Sequence, residues 1–99
     1  MYTPDKWIVV TLRNPHTGEH IDKVLAGWYG GYLGSDEWRM NSGISNVEEH
    51  EDHYLFHGYS GSVYKCFKHR WGTTGWTASI LSNIPEEIVE ATNKYEVAE

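Results

Sequence analysis

Between Ala26 and Gly34 the chain reads Ala-Gly-Trp-Tyr-Gly-Gly-Tyr-Leu-Gly, three aromatic rings set among four glycines. Glycine gives backbone freedom and close approach, and aromatic rings give large flat contact surfaces. The combination suits a recognition loop or a tightly bent, aromatic-packed strand. The rest of the molecule has to be built around that stretch from 99 residues, which is material for one modest core and none for a second. Five Trp and seven Tyr make rings a large part of that core. Their polar tips want hydrogen bonds, which favours half-buried and binding positions.

Charge narrows the partners. Eight Lys and Arg against fourteen Asp and Glu leave a net charge of -6, with a pI near 5.4. Broad binding to DNA or RNA through phosphates is not expected of such a chain, although a local basic patch could serve a compact anion. One cysteine, Cys66, precludes an internal disulfide and fits a reducing compartment. The opening Met1-Tyr-Thr-Pro-Asp-Lys-Trp7 has no basic segment followed by an apolar one, and no apolar run approaches the ~20 residues of a membrane span. No secretory signal and no membrane association are expected.

Along the chain, Trp7 to Arg13 is a β-branched run with Ile8, Val10 and Leu12 on one face, followed by turn chemistry at Asn14-Pro-His-Thr-Gly18. Ile21 to Trp28 reads as the returning strand of a hairpin. Asp36 to Asn41 alternates as a strand with one wet face, and Ile44 to Glu49 is a weaker one. His50-Glu-Asp52 turns into His53 to His57. Gly58 to Gly61 turns into Ser62 to His69, where Tyr64 and Cys66 share one side and Val63, Lys65 and Phe67 the other. Arg70 to Gly75 is a loop. Residues 76–82 fit a strand or a short helix equally, because short apolar runs carry no distinguishing period. Asn83 as a cap, Pro85 and Glu86 in a first turn, and Ile84, Ile88, Ala91 and Tyr95 at helical spacing predict a C-terminal amphipathic helix over 84–95. The fold expected is α+β in a single β-rich domain, 1–99: a strongly bent antiparallel sheet or small barrel of about six strands with a C-terminal helix.

Two constellations could carry chemistry. His50-x-x-His53 and Cys66-x-x-His69 have donor types and spacings that suit zinc. On extended strands, however, residues three apart point to opposite faces, so the pairs diverge, and no metal or other cofactor is expected. No Gly-x-Ser-x-Gly elbow, P-loop or dinucleotide fingerprint occurs, and Cys66 sits on a core face, so no acid, base and nucleophile set can be assembled. The chain is therefore expected to bind rather than catalyse. The positive signal is a mixture of rings and cations. Lys65, Lys68 and Arg70 place three of eight cations within six residues, directly before Trp71. If Tyr29, Tyr32 and Arg39 lie nearby, rings could stack on a base while cations meet phosphate. Tyr29, Tyr32, Arg39, Lys68, Arg70 and Trp71 are thus the candidate binding residues, with Trp71 in a glycine-bounded loop expected to contribute to binding and little to stability. The acidic residues Glu48, Glu49, Glu51 and Asp52, with Glu86, Glu87, Glu90 and Glu96 in the tail, offer another surface, complementary to a basic groove on a partner protein.

The opening Met1-Tyr-Thr-Pro-Asp-Lys-Trp7, the centre Ala26-Gly-Trp-Tyr-Gly-Gly-Tyr-Leu-Gly-Ser-Asp-Glu-Trp-Arg-Met-Asn-Ser-Gly-Ile44, and Tyr54-Leu-Phe-His-Gly-Tyr-Ser-Gly-Ser-Val-Tyr-Lys-Cys66 resemble small tailed-bacteriophage proteins of uncharacterised function. The resemblance runs to about Leu81 and brings no catalytic or ligand residues with it. It implies a viral accessory protein in the cytoplasm of an infected bacterium, and by analogy one acting on host enzymes or immunity. The expected function is counter-defence by binding a host protein or a small anionic, nucleotide-like signal. A minor virion or assembly component and a small zinc-binding interaction module are the alternatives. Exposed aromatic strands make a homodimer compatible with either.

Overall fold

The structure is a computed structural model that describes residues 1–30 and 34–98. Among the described residues seven strands form two antiparallel sheets. β1 (Lys6–Arg13) and β2 (His20–Trp28) pair in register from Lys6 with Gly27 to Arg13 with His20. β3 (Glu37–Met40) joins the free side of β2, and β7 (Val89–Ala91) the free side of β1, giving the order β3-β2-β1-β7. β4 (Ile44–Glu49), β5 (His53–Gly58) and β6 (Val63–Phe67) make a second sheet in sequence order.

The sheets stack through one cluster: Trp7, Val9, Val24 and Ala26 from the first against Phe56, Tyr64 and Cys66 from the second. Trp7 is wholly buried, 5.5 Å from the Phe56 ring, and its indole N–H donates to the Phe67 carbonyl at 2.7 Å. The helix α1 (Gly75–Ser82) lies on the other face of the larger sheet, where Ile80 and Leu81 pack on Ile8, Val10 and Leu25. The centres of β1 and β2 are therefore covered on both sides and are buried continuously, not alternately. Among the described residues the outer face of the small sheet has no such cover, and β6 alternates between buried and half-buried residues.

The α+β class and β-rich character stand, with two corrections. The strands do not form one bent sheet or closed barrel: after Met40 the chain leaves the first sheet through Asn41–Gly43 and begins a second. The α-helix is at 75–82, which settles the strand-or-helix ambiguity there, and 84–95 is not an α-helix. A reciprocal capping box fixes α1, with the Thr77 N–H donating to the Thr74 hydroxyl at 3.1 Å and the Thr74 N–H to the Thr77 hydroxyl at 2.8 Å. Asn83 closes this helix at its C-terminus and does not open another. Pro85 is extended, and Glu86–Ile88 makes one 3-10 turn before Val89 pairs with Leu12 as β7. The open edge of β1 thus claims the segment, while Tyr95 packs edge-on against Tyr54 and Phe56.

Candidate functional site

The N-terminal segment bridges the two sheets before β1 begins. Tyr2 donates its N–H to the Val63 carbonyl and accepts from the Lys65 N–H, both at 2.8 Å, so it extends the edge of β6. Three residues on, the Asp5 N–H donates to the Gly27 carbonyl at 2.9 Å, which ties the same segment to the first sheet. The Trp28 indole N–H donates to the Thr3 carbonyl at 3.0 Å. A cleft of about 650 Å³ opens between this segment, the end of β2 and β3, with Tyr2, Trp28, Tyr29, Glu37 and Arg39 among its lining residues.

The geometry of the cleft follows from strand alternation. On β3, Trp38 and Met40 turn toward the α1 side, where Met40 packs with Ile80 and Leu81. Glu37 and Arg39 consequently share the opposite face and enter the cleft. The Arg39 guanidinium lies 4.7 Å over the Tyr2 ring, which in turn stacks at 5.0 Å on Tyr64. Burial raises the Tyr64 phenol above its ordinary range, and the Arg39 charge works against that rise. Among the described residues Arg39 meets no carboxylate and Glu37 no cation. Tyr29 is 54% exposed, and its backbone N–H is fixed by the Asp5 carboxylate at 2.9 Å. Gly30 lies close against Gly34 and Ser35: a Cβ on Gly30 would strike the backbone of both, and one on Gly34 the Gly30 carbonyl.

The six candidate binding residues do not form one surface. Tyr29 and Arg39 line the cleft, and Tyr32 lies outside the described residues. Lys68 and Trp71 line a separate hollow of about 340 Å³ with His69, Val97 and Ala98. Arg70 connects the two neighbourhoods, because it pairs with Asp5 at 3.3 Å while the other oxygen of Asp5 holds Tyr29. Lys68 is bound to Glu49 at 2.7 Å, and that bond raises its pKa. Trp71 corrects the expectation that its ring would be of little use to stability. It is half-buried, packs against both core clusters and continues from Trp7 by a backbone bridge. Its indole N–H is buried without a partner, as is the Asn41 amide nitrogen.

The zinc alternative is dispersed by the same alternation. His53 opposes Phe67 and Tyr54 opposes Cys66, so His53 and the buried Cys66 project from opposite faces of their sheet. His50 stacks on His53 at 4.6 Å, His53 bonds Asp52, and His69 accepts from Arg70 at 3.4 Å. Among the described residues no three His, Cys, Asp or Glu side chains are grouped to hold a metal. Much of the acidic run is likewise engaged, Glu48 with His57 and Glu49 with Lys68.

Sequence reasoning missed Tyr2, Trp28 as a cleft wall, and Glu37. Nothing local marks Tyr2, whose position depends on pairing with β6, sixty residues away. Glu37 was accessible, since a strand that presents Arg39 presents Glu37 on the same face. No helix among the described residues is long and apolar enough to cross a membrane. No protein-family model, curated protein or solved structure matches the chain.

Proposed function

We propose that this chain is a non-catalytic phage accessory protein that acts in the infected bacterial cytoplasm, as a counter-defence factor, by holding a small anionic signal in the cleft between Tyr2 and Arg39. The ligand class is a nucleotide, the simplest molecule to combine a phosphate with a flat ring. The observation that carries this reading is Arg39, a guanidinium braced on the face of Tyr2 with no carboxylate paired to it among the described residues. A braced, unpaired guanidinium meets an anion without first breaking an ion pair and loses little side-chain freedom in doing so. The exposed ring of Tyr29 offers a base a stacking partner. Retention without chemistry would be enough to deplete a signal.

Thermal unfolding in the presence of linear and cyclic mononucleotides tests the proposal, since a ligand that binds only the folded state stabilises it by about 2.7 kcal/mol at a hundredfold excess over Kd. The melting temperature is expected to rise with at least one nucleotide, and the rise to disappear in R39A. No rise with any nucleotide, or a rise that survives R39A, overturns the reading. A host protein as the ligand is the second reading, favoured by Trp38 and Trp76, which are 38% and 49% exposed on the α1 side of the larger sheet. Capture of a defined host factor that is lost in W76A would favour it.

A further inference from the structure

We infer that the cleft selects guanine among the bases, and that Glu37 is the residue that reads it. The inference rests on the nucleotide reading of the same cleft. Glu37 and Arg39 are two residues apart on β3, which puts their Cα atoms about 7 Å from each other on one side of the strand. Both line the cleft and neither is neutralised among the described residues. The cleft therefore offers an anion site and, a short step along the strand, an acceptor-only site.

A carboxylate accepts and cannot donate, so it asks for a partner with two adjacent donors. Guanine has that edge, with its ring N1–H beside the exocyclic N2 amino group, and a carboxylate takes both in a bidentate contact. Adenine presents an acceptor nitrogen beside its amino group, so one carboxylate oxygen would face a lone pair. Uracil and thymine present one donor between two carbonyls, and cytosine an acceptor beside its amino group. The remaining lining fits a base between the two charged ends. Trp28 is fixed by its bond to Thr3, edge-on to Tyr2 at 6.3 Å, and Tyr29 is left exposed as a stacking face. A free amino acid also joins a cation to an anion, but it holds them close together and would leave most of a cleft of about 650 Å³ to water.

The test is calorimetric titration of the full chain with guanosine 5′-monophosphate and adenosine 5′-monophosphate, for the unaltered protein and for E37Q. Guanosine monophosphate is expected to bind roughly tenfold more tightly or better, as lost hydrogen bonds to a charged group imply. In E37Q the two nucleotides are expected to come within about twofold of each other, chiefly by loss of guanosine affinity. The Glu37 side chain is exposed and makes no hydrogen bond among the described residues, and an unchanged melting temperature of ligand-free E37Q checks that the fold is intact. Equal binding of both nucleotides to the unaltered protein, or a guanosine preference that persists in E37Q, overturns the inference while leaving the nucleotide reading in place. Binding of neither overturns the inference, and the nucleotide reading falls with it when thermal unfolding also shows no rise with any linear or cyclic nucleotide.

Discussion

Cys66 faces the core from the inner side of β6, wholly buried among Trp7, Phe56 and Tyr64, and burial pushes its thiol well above the ordinary range. Tyr64 and Tyr95 are raised for the same reason. A thiol ordinarily titrates near 9.0 and a phenol near 10.0, so above those values the unfolded chain releases protons that the folded chain retains. The folded state then binds more protons than the unfolded one, and stability must fall as the pH rises. Lys68 and Lys94, raised by their bonds to Glu49 and Asp22, act in the same direction at still higher pH. Thermal melts across the alkaline range are expected to show a midpoint that holds to about pH 8.5 and declines beyond it, with the earliest part of the decline reduced in C66A. A midpoint that stays level to about pH 11 would show these groups to be solvated. Residue-scale chemistry of this kind was legible in the sequence for Cys66, whose alternation with Tyr64 announces a core face. It was not legible for Trp71, because a glycine-flanked ring looks like a loop residue until its packing against Trp7 and both faces of the sheet is known.

Among the elements, β1, β2 and the four other strands up to β6 could be read from alternation and turn chemistry because those signals are local. The helix could not be placed, because what decides it is competition. Apolar residues at helical spacing over 84–95 satisfy a helix and a core-facing turn equally well, and the unpaired edge of β1 decides for β7. At 75–82 the deciding contact is with Gly27. A Cβ there would approach the methyl groups of Thr74 and Thr77 at 2.8 and 2.9 Å, and both threonines are buried and committed to the capping box. Glycine is thus the residue that lets the start of α1 lie flat on β2. Gly27→Ala is expected to cost about 2 kcal/mol, as overpacking of a tight contact does, and to lower the urea midpoint accordingly. An unchanged midpoint would mean that the helix shifts freely and that its seat on β2 is not specified by packing. The variant leaves Arg39 and Tyr29 in place, so any loss of binding beyond the loss of stability would show that the seat of α1 also positions β3.

In the whole molecule, a three-layer stack of helix, four-stranded sheet and three-stranded sheet is tied at one end by residues 1–5, and the cleft exists only because that tie crosses both sheets. This explains how far the site could be foreseen. The rings of Trp28 and Tyr29 and the cation of Arg39 stand out in the sequence, but their convergence with Tyr2 depends on sheet stacking, which no local pattern encodes. The two halves of the expected site, Tyr29 with Arg39 and Lys68 with Trp71, separate for the same reason, with the Arg70 and Asp5 pair as their link. On the proposed reading, the cleft is where the ligand sits. Titration of isotopically labelled protein with guanosine 5′-monophosphate, followed through its backbone amide resonances, tests it directly. Saturable shifts are expected at Tyr2, Thr3, Trp28 to Gly30 and Glu37 to Arg39, with little change at Lys68 to Trp71. Shifts centred on Lys68 to Trp71, or none at saturating nucleotide, would contradict it.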